Sequence, residues 1–230
     1  MTQLRLSLRE IRLIVERLVQ AAGTPPGLLL SVRDAAVASA VLPIAGFGGL
    51  GAEIARLVAV PPRPLRISGD AATTVVDAGG QHAWFVAEAV LDIAIEFFRL
   101  HGSASVLVRN LANPSELGVV SALAEKHGLA ATVAETGGEI RLTVQQRAAD
   151  AASLLDRVRR DGVIADPEIW WPLYHASHEA LAPDSFESRR HAGTIRVEAD
   201  GRIVGRNDED ETDLSMLAAD PTRLRPASVP

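Results

Sequence analysis

Six consecutive residues, Gly46-Phe47-Gly48-Gly49-Leu50-Gly51, meet the spacing G-x-G-x-x-G. Glycines so placed let the backbone approach a pyrophosphate at a helix N-terminus. Asp70 follows at the distance a ribose contact requires. Gly46, Gly48 and Gly51 are therefore candidate ligand-binding residues. The competing reading is a plain tight turn. It is favoured by Pro43, which would remove a ladder hydrogen bond from the strand a dinucleotide fold needs there.

A second group is Ser188-Arg189-Arg190-His191, four adjacent donors in which an arginine could hold a carboxylate or phosphate bidentately. These four are candidate ligand-binding residues for a small anion; the alternative is a solvated loop leading into a hairpin. Asp208, Asp210 and Asp213 carry oxygen ligands but lack the glycine and glutamate spacing of an EF-hand, and read as a solvated acidic stretch. His175 and His178 lie three apart with no further ligand signalled, and read as packing beside Trp171. No metal site is expected, and the absence of cysteine removes thiolate chemistry, disulfides and cysteine-ligated zinc.

The elements that must position these groups can be read from pattern. Ser7 and Glu10 form a capping box, and Ile11, Ile14, Val15 and Leu18 continue at helical spacing until Gly23 and Pro25-Pro26 stop the helix. An alanine-rich helix is expected over Leu28 to Leu42, then the glycine turn, then a short helix over Ala52 to Val58. Strands are expected at Leu65 to Ser68, Thr73 to Asp77, Ser105 to Val108, Leu129 to Val133 and Ile140 to Val144. Helices are expected over Ala83 to Leu100, Pro114 to His127, Ala148 to Arg160 and Pro167 to Ala182. Thr194 to Arg206 alternates about Asp200-Gly201, a hairpin signal. The fold class is α/β, with α+β as the variant: a helical N-terminal segment (1–60), a βαβ-type core (61–145), a helix-and-hairpin extension (146–207) and an acidic tail (208–230).

Length and charge bound the function. The chain has 230 residues, 47% of them hydrophobic, and a formal net charge of −6. No long basic run is present, so no nucleic-acid partner is expected. No apolar run is long enough for a membrane span and no signal peptide is visible, so a cytoplasmic location is expected.

The order of motifs resembles the malate/L-lactate dehydrogenase family that does not use a Rossmann fold. The first helix, ending Ala21-Ala22-Gly23, is similar to the family's A-A-G-V-P ending, and Gly46 to Gly51 falls where the family has G-V-D-S-H-G. Val76 to Gly80 with the following helix is similar to D-x-x-G-G-x-G and its helix. Val106 to Asn110 is similar to V-x-V-R-N, and the run to Gly118 to S-x-H-F-G-x-x-G. The resemblance implies the family's fold and NAD(P) as the cofactor of an active member. Its histidines, which line the catalytic site, are replaced by Leu50 and Asn113, and neither supplies acid-base chemistry near neutral pH. The resemblance thus implies a non-catalytic relative that holds no cofactor, a binding or partner subunit forming a homo-oligomer or joining a protein partner. The alternatives are an NAD(P)-dependent oxidoreductase of a small 2-oxoacid or cyclic imine, and a small-anion binder. In the enzyme reading the catalytic residues are Arg109, Asn110, Asn113 and Ser115, with Arg109 clamping a small substrate carboxylate.

Overall fold

A computed structural model describes residues 3–42, 44–69, 74–136, 139–181, 196–197 and 203–204. Met1–Leu181 form one compact unit and Ala182–Pro230 a second.

The first unit opens with strand β1 (Leu4–Leu6) and helix α1 (Leu8–Ala21). The capping box at Ser7 is made in both directions: Ser7 Oγ accepts the Glu10 N–H, and Glu10 Oε2 accepts the Ser7 N–H. Helix α1 buries Ile11, Ile14, Val15, Leu18 and Val19. Its apolar face is therefore used inside the unit, packed on α2 (Leu29–Val41) and on a 3-10 turn, Ser177–Ala180. Helix α2 is lined by alanines, and Val32 and Ala35 to Ala40 are all buried. Small side chains on every side let this helix sit between α1, α3 and α4.

The glycine run does not form a turn. Gly46 begins helix α3 (Gly46–Ala59), and the Gly49 N–H already donates to the Ala45 carbonyl. Leu50, Glu53 and Leu57 form its buried stripe, and helical spacing through the glycines outweighs their weak propensity. Strands β2 (Arg66–Ser68) and β3 (Thr74–Asp77) follow. Helix α4 (Ala83–His101) is started by the His82 ring and closed by Gly102 in the left-handed region. Then come β4 (Ala104–Arg109), a 3-10 turn (Pro114–Val119) and α5 (Val120–Glu125), where the sequence predicted one continuous helix. Strands β5 (Leu129–Thr136) and β6 (Glu139–Gln146) are longer than expected.

The sheet order is β2-β3-β4-β6-β5. Only β3 and β4, joined through α4, are parallel; the other pairs are antiparallel, so the expected βαβ unit sits inside a mixed sheet. Val106, Val108, Leu142 and Val144 are buried, while Arg141 and Ser105 pair with one another on the exposed side.

The helix expected over Ala148 to Arg160 is shorter, α6 (Leu154–Asp161), started by Ser153. Strand β7 (Val163–Ala165) pairs antiparallel with β1. Helix α7 (Pro167–Ala176) completes the unit. In the second unit, β8 (Arg196–Val197) and β9 (Ile203–Val204) pair antiparallel, as the alternation there predicted. The Asp200-Gly201 turn itself lies outside the described residues.

Candidate functional site

Three short segments converge between α3, the start of α4 and the turn after β4. Glu53 enters on the apolar stripe of α3 and is 7% exposed. Its Oε2 accepts from His82 Nε2 at 2.9 Å and from the Asn113 amide, and its Oε1 pairs with Arg56. The other ring nitrogen of His82, Nδ1, accepts the Trp84 N–H at 3.2 Å, which is the start of α4. That bond requires Nδ1 to be unprotonated, so the ring is the neutral Nε2–H form. Burial pushes the His82 imidazole below its ordinary value, and this outweighs the opposing pull of Glu53. Trp84 in turn donates its indole N–H to Glu116 Oε2 at 2.8 Å. Glu53, His82, Asn113, Trp84 and Glu116, from segments far apart in sequence, thus form one largely buried polar network.

Two cavities flank this network. One, of about 820 Å³, is an open cleft lined by Arg63, Arg66, Asp77, Gly79, Gly80 and Asn110, among others. Its floor is built by local chemistry. Asp77 accepts the Gly79 N–H at 2.8 Å and the Asn110 amide at 2.9 Å, which hold its carboxyl below the usual carboxylate range. Asn110 has φ +53°, a left-handed position that asparagine tolerates better than most residues. Gln81 is buried and clamps the segment before β2, exchanging hydrogen bonds with the Arg63 backbone at 3.0 and 2.9 Å. Neither Arg63 nor Arg66 takes part in an ion pair among the described residues. The second cavity, of about 590 Å³, runs along α3 and is lined by Ala45, Gly49, Ala52, Glu53, Arg56, Ser115 and Glu116 with Ile44.

The residues singled out in the sequence are distributed across these places. Asn110 lines the cleft, Ser115 lines the second cavity, and Asn113 joins the buried network between them. Arg109 stands apart: it pairs with Glu139 across the sheet and lies outside the lining of both cavities. Gly48 and Gly51 face α7, where an added Cβ would lie 3.9 Å from Ile169 Cδ1 and Leu173 Cδ2. Ser188, Arg189, Arg190 and His191 lie outside the described residues. His178 packs edge-on against Tyr174, and no cluster of three metal-ligating side chains occurs among the described residues. No described helix is long and apolar enough to cross a membrane.

Sequence reading missed Glu53, His82, Glu116 and the two cleft arginines. One signal was available. Leu50, Glu53 and Leu57 share a helical face, and a carboxylate on an apolar stripe must find partners when buried.

No protein-family model and no curated protein matches the chain. Solved structures do. A malate dehydrogenase from Entamoeba histolytica is 20% identical, with 65% of this chain and 47% of that one covered, at a TM-score of 0.49. A malate dehydrogenase from Pyrococcus horikoshii is 16% identical, with 65% and 49% covered, at 0.48. The chain thus spans about half the length of these two enzymes. A dehydrogenase from Sinorhizobium meliloti is 11% identical, with 76% of this chain and 100% of that one covered, at 0.55. With that protein the chain shares its fold.

Proposed function

We propose that this protein is a non-catalytic relative of the malate/L-lactate dehydrogenases that works as a binding or partner subunit. The observation that carries the reading is the fate of the two histidine positions. Leu50, at the first, is 0% exposed within the core. Asn113, at the second, commits its amide to Glu53. The nearest imidazole, His82, is 2% exposed with both nitrogens engaged, so it has no free lone pair or proton to offer a solute.

Binding would then fall to the open cleft. Arg63 and Arg66 line it with a single carboxylate, Asp77, whose oxygens are already hydrogen-bonded and which Arg66 also attracts. That balance suits a small carboxylate or phosphate. Self-assembly or a protein partner belongs to the same reading. The apolar stripe of α1 and Trp170 are packed within the unit, whereas Leu13 on the other face of α1 is 49% exposed and Trp171 is 46% exposed.

The test is calorimetric titration of the folded protein with NADH, NADPH and malonate. Malonate should bind, and should bind at least about tenfold more weakly to the Arg63→Ala/Arg66→Ala protein. The two nucleotides should not bind. Micromolar binding of either nucleotide would overturn the reading in favour of an NAD(P)-dependent oxidoreductase of a small 2-oxoacid or cyclic imine. The fold shared with a dehydrogenase favours that alternative.

A further inference from the structure

Glu116 is 3% exposed, and only one of its carboxylate oxygens is used. Oε2 accepts the Trp84 indole N–H. Oε1 has no hydrogen-bond partner, it is not among the sealed unpartnered atoms of the described residues, and Glu116 lines the cavity beside α3. No ion pair among the described residues includes Glu116. The other charges lining that cavity, Glu53 and Arg56, are paired with each other. A buried carboxylate with one free oxygen and no counter-charge is a costly arrangement unless a donor, best a cationic one, completes it. The first turn of α3 brings about half a positive charge to one end of the cavity, less than a full counter-charge.

The remaining lining fits such a donor. Ser115 Oγ is a free hydrogen-bond acceptor on the same wall. Ile44, Ala45 and Ala52 supply an apolar side. A metal ion would need several ligand oxygens or nitrogens, and one free carboxylate oxygen with a hydroxyl is too few. An ammonium group has three N–H donors and no need of a closed shell. We infer that the cavity beside α3 is a binding site for a small primary alkylammonium ion. Its N–H groups are received by Glu116 Oε1 and Ser115 Oγ, and its carbon chain lies on Ile44, Ala45 and Ala52.

The site is separate from the Arg63/Arg66 cleft, so it stands or falls independently of the proposed anion binding. The probe is n-propylammonium, read by the indole N–H signal of Trp84 in nitrogen-15 NMR of the full chain. Saturable movement of that signal is expected, with n-propanol and tetramethylammonium leaving it unmoved. Glu116→Gln keeps an acceptor for Trp84 and should weaken propylammonium binding about tenfold or more. Ala52→Leu keeps Glu116 but crowds the apolar side of the cavity, and should weaken the movement in a protein of unchanged fold. The inference is overturned if propylammonium up to about 50 mM, a weak-binding limit, leaves the Trp84 signal of the wild-type protein unmoved. It is equally overturned if n-propanol moves that signal as far, or if Ala52→Leu binds as the wild type does.

Discussion

His82 illustrates how one side chain serves the element and the site together. Its Nδ1 starts α4 and its Nε2 anchors Glu53 of α3, so the ring ties the two helices at one point. Burial holds its folded-state value below the ordinary one. An unfolded chain therefore takes up a proton at this position as the pH falls below about 6.5, whereas the folded chain resists until lower pH. Stability is full above that value and declines as the pH drops. His82→Asn retains an acceptor for the Trp84 N–H but has nothing to titrate. Urea unfolding at about pH 5.5 and about pH 7.5 should show a smaller difference between the two pH values in this variant. At neutral pH the variant should be less stable by about 1–3 kcal/mol, because Glu53 loses a buried partner.

Gly162 makes a backbone demand at the same scale. It has φ +71°, and a Cβ there would sit 2.7 Å from the Leu6 carbonyl oxygen. Gly162→Ala should cost about 1–3 kcal/mol and loosen the β1–β7 pair, seen as faster amide exchange at Leu4 to Leu6.

Among the elements, α3 is the informative case. Gly48 and Gly51 have ordinary helical backbones, and an added methyl at either meets its neighbour at a normal contact distance. Gly51→Ala should therefore raise stability by about 0.5–1 kcal/mol and leave ligand titrations unchanged. A phosphate-cradling loop at these positions would give the opposite result, a loss of binding. Helix α6 depends on its cap: Ser153 Oγ accepts the Asp156 N–H at 3.1 Å and donates to Glu125 at 2.8 Å. Ser153→Ala should lower stability by about 1 kcal/mol, measured by thermal unfolding.

For the whole molecule, the described core residues belong to Met1–Leu181, and β1 and β7 join the two ends of that unit through antiparallel pairing. A chain ending at Leu181 should therefore unfold cooperatively, with a transition temperature close to that of the full chain. Inside the unit, Arg33 pairs with Glu16 at 2.7 Å, and Lys126 pairs with Asp34. These contacts link α1, α2 and the end of α5 around the alanine-rich helix.

The sequence by itself determined what depends on neighbours in the chain. The Ser7 capping box and the apolar spacing of α1 are interactions within a few residues, and each is present. The glycine run was misread for a local reason: glycine is the residue of turns, and its low helix propensity hid a stripe of Leu50, Glu53 and Leu57 that only burial rewards. Strands β1 and β7 were missed because three residues carry little periodic signal and their partner lies some 160 residues away. The tertiary structure alone decided that Glu53, His82, Asn113 and Glu116 share one network. His82 and Glu116 look ordinary in their own segments, and neither Glu53 nor Asn113 names its partners there. They acquire chemistry only when folding removes water from between α3, α4 and the turn after β4, since a buried carboxylate must then be satisfied by whatever donors the fold brings to it.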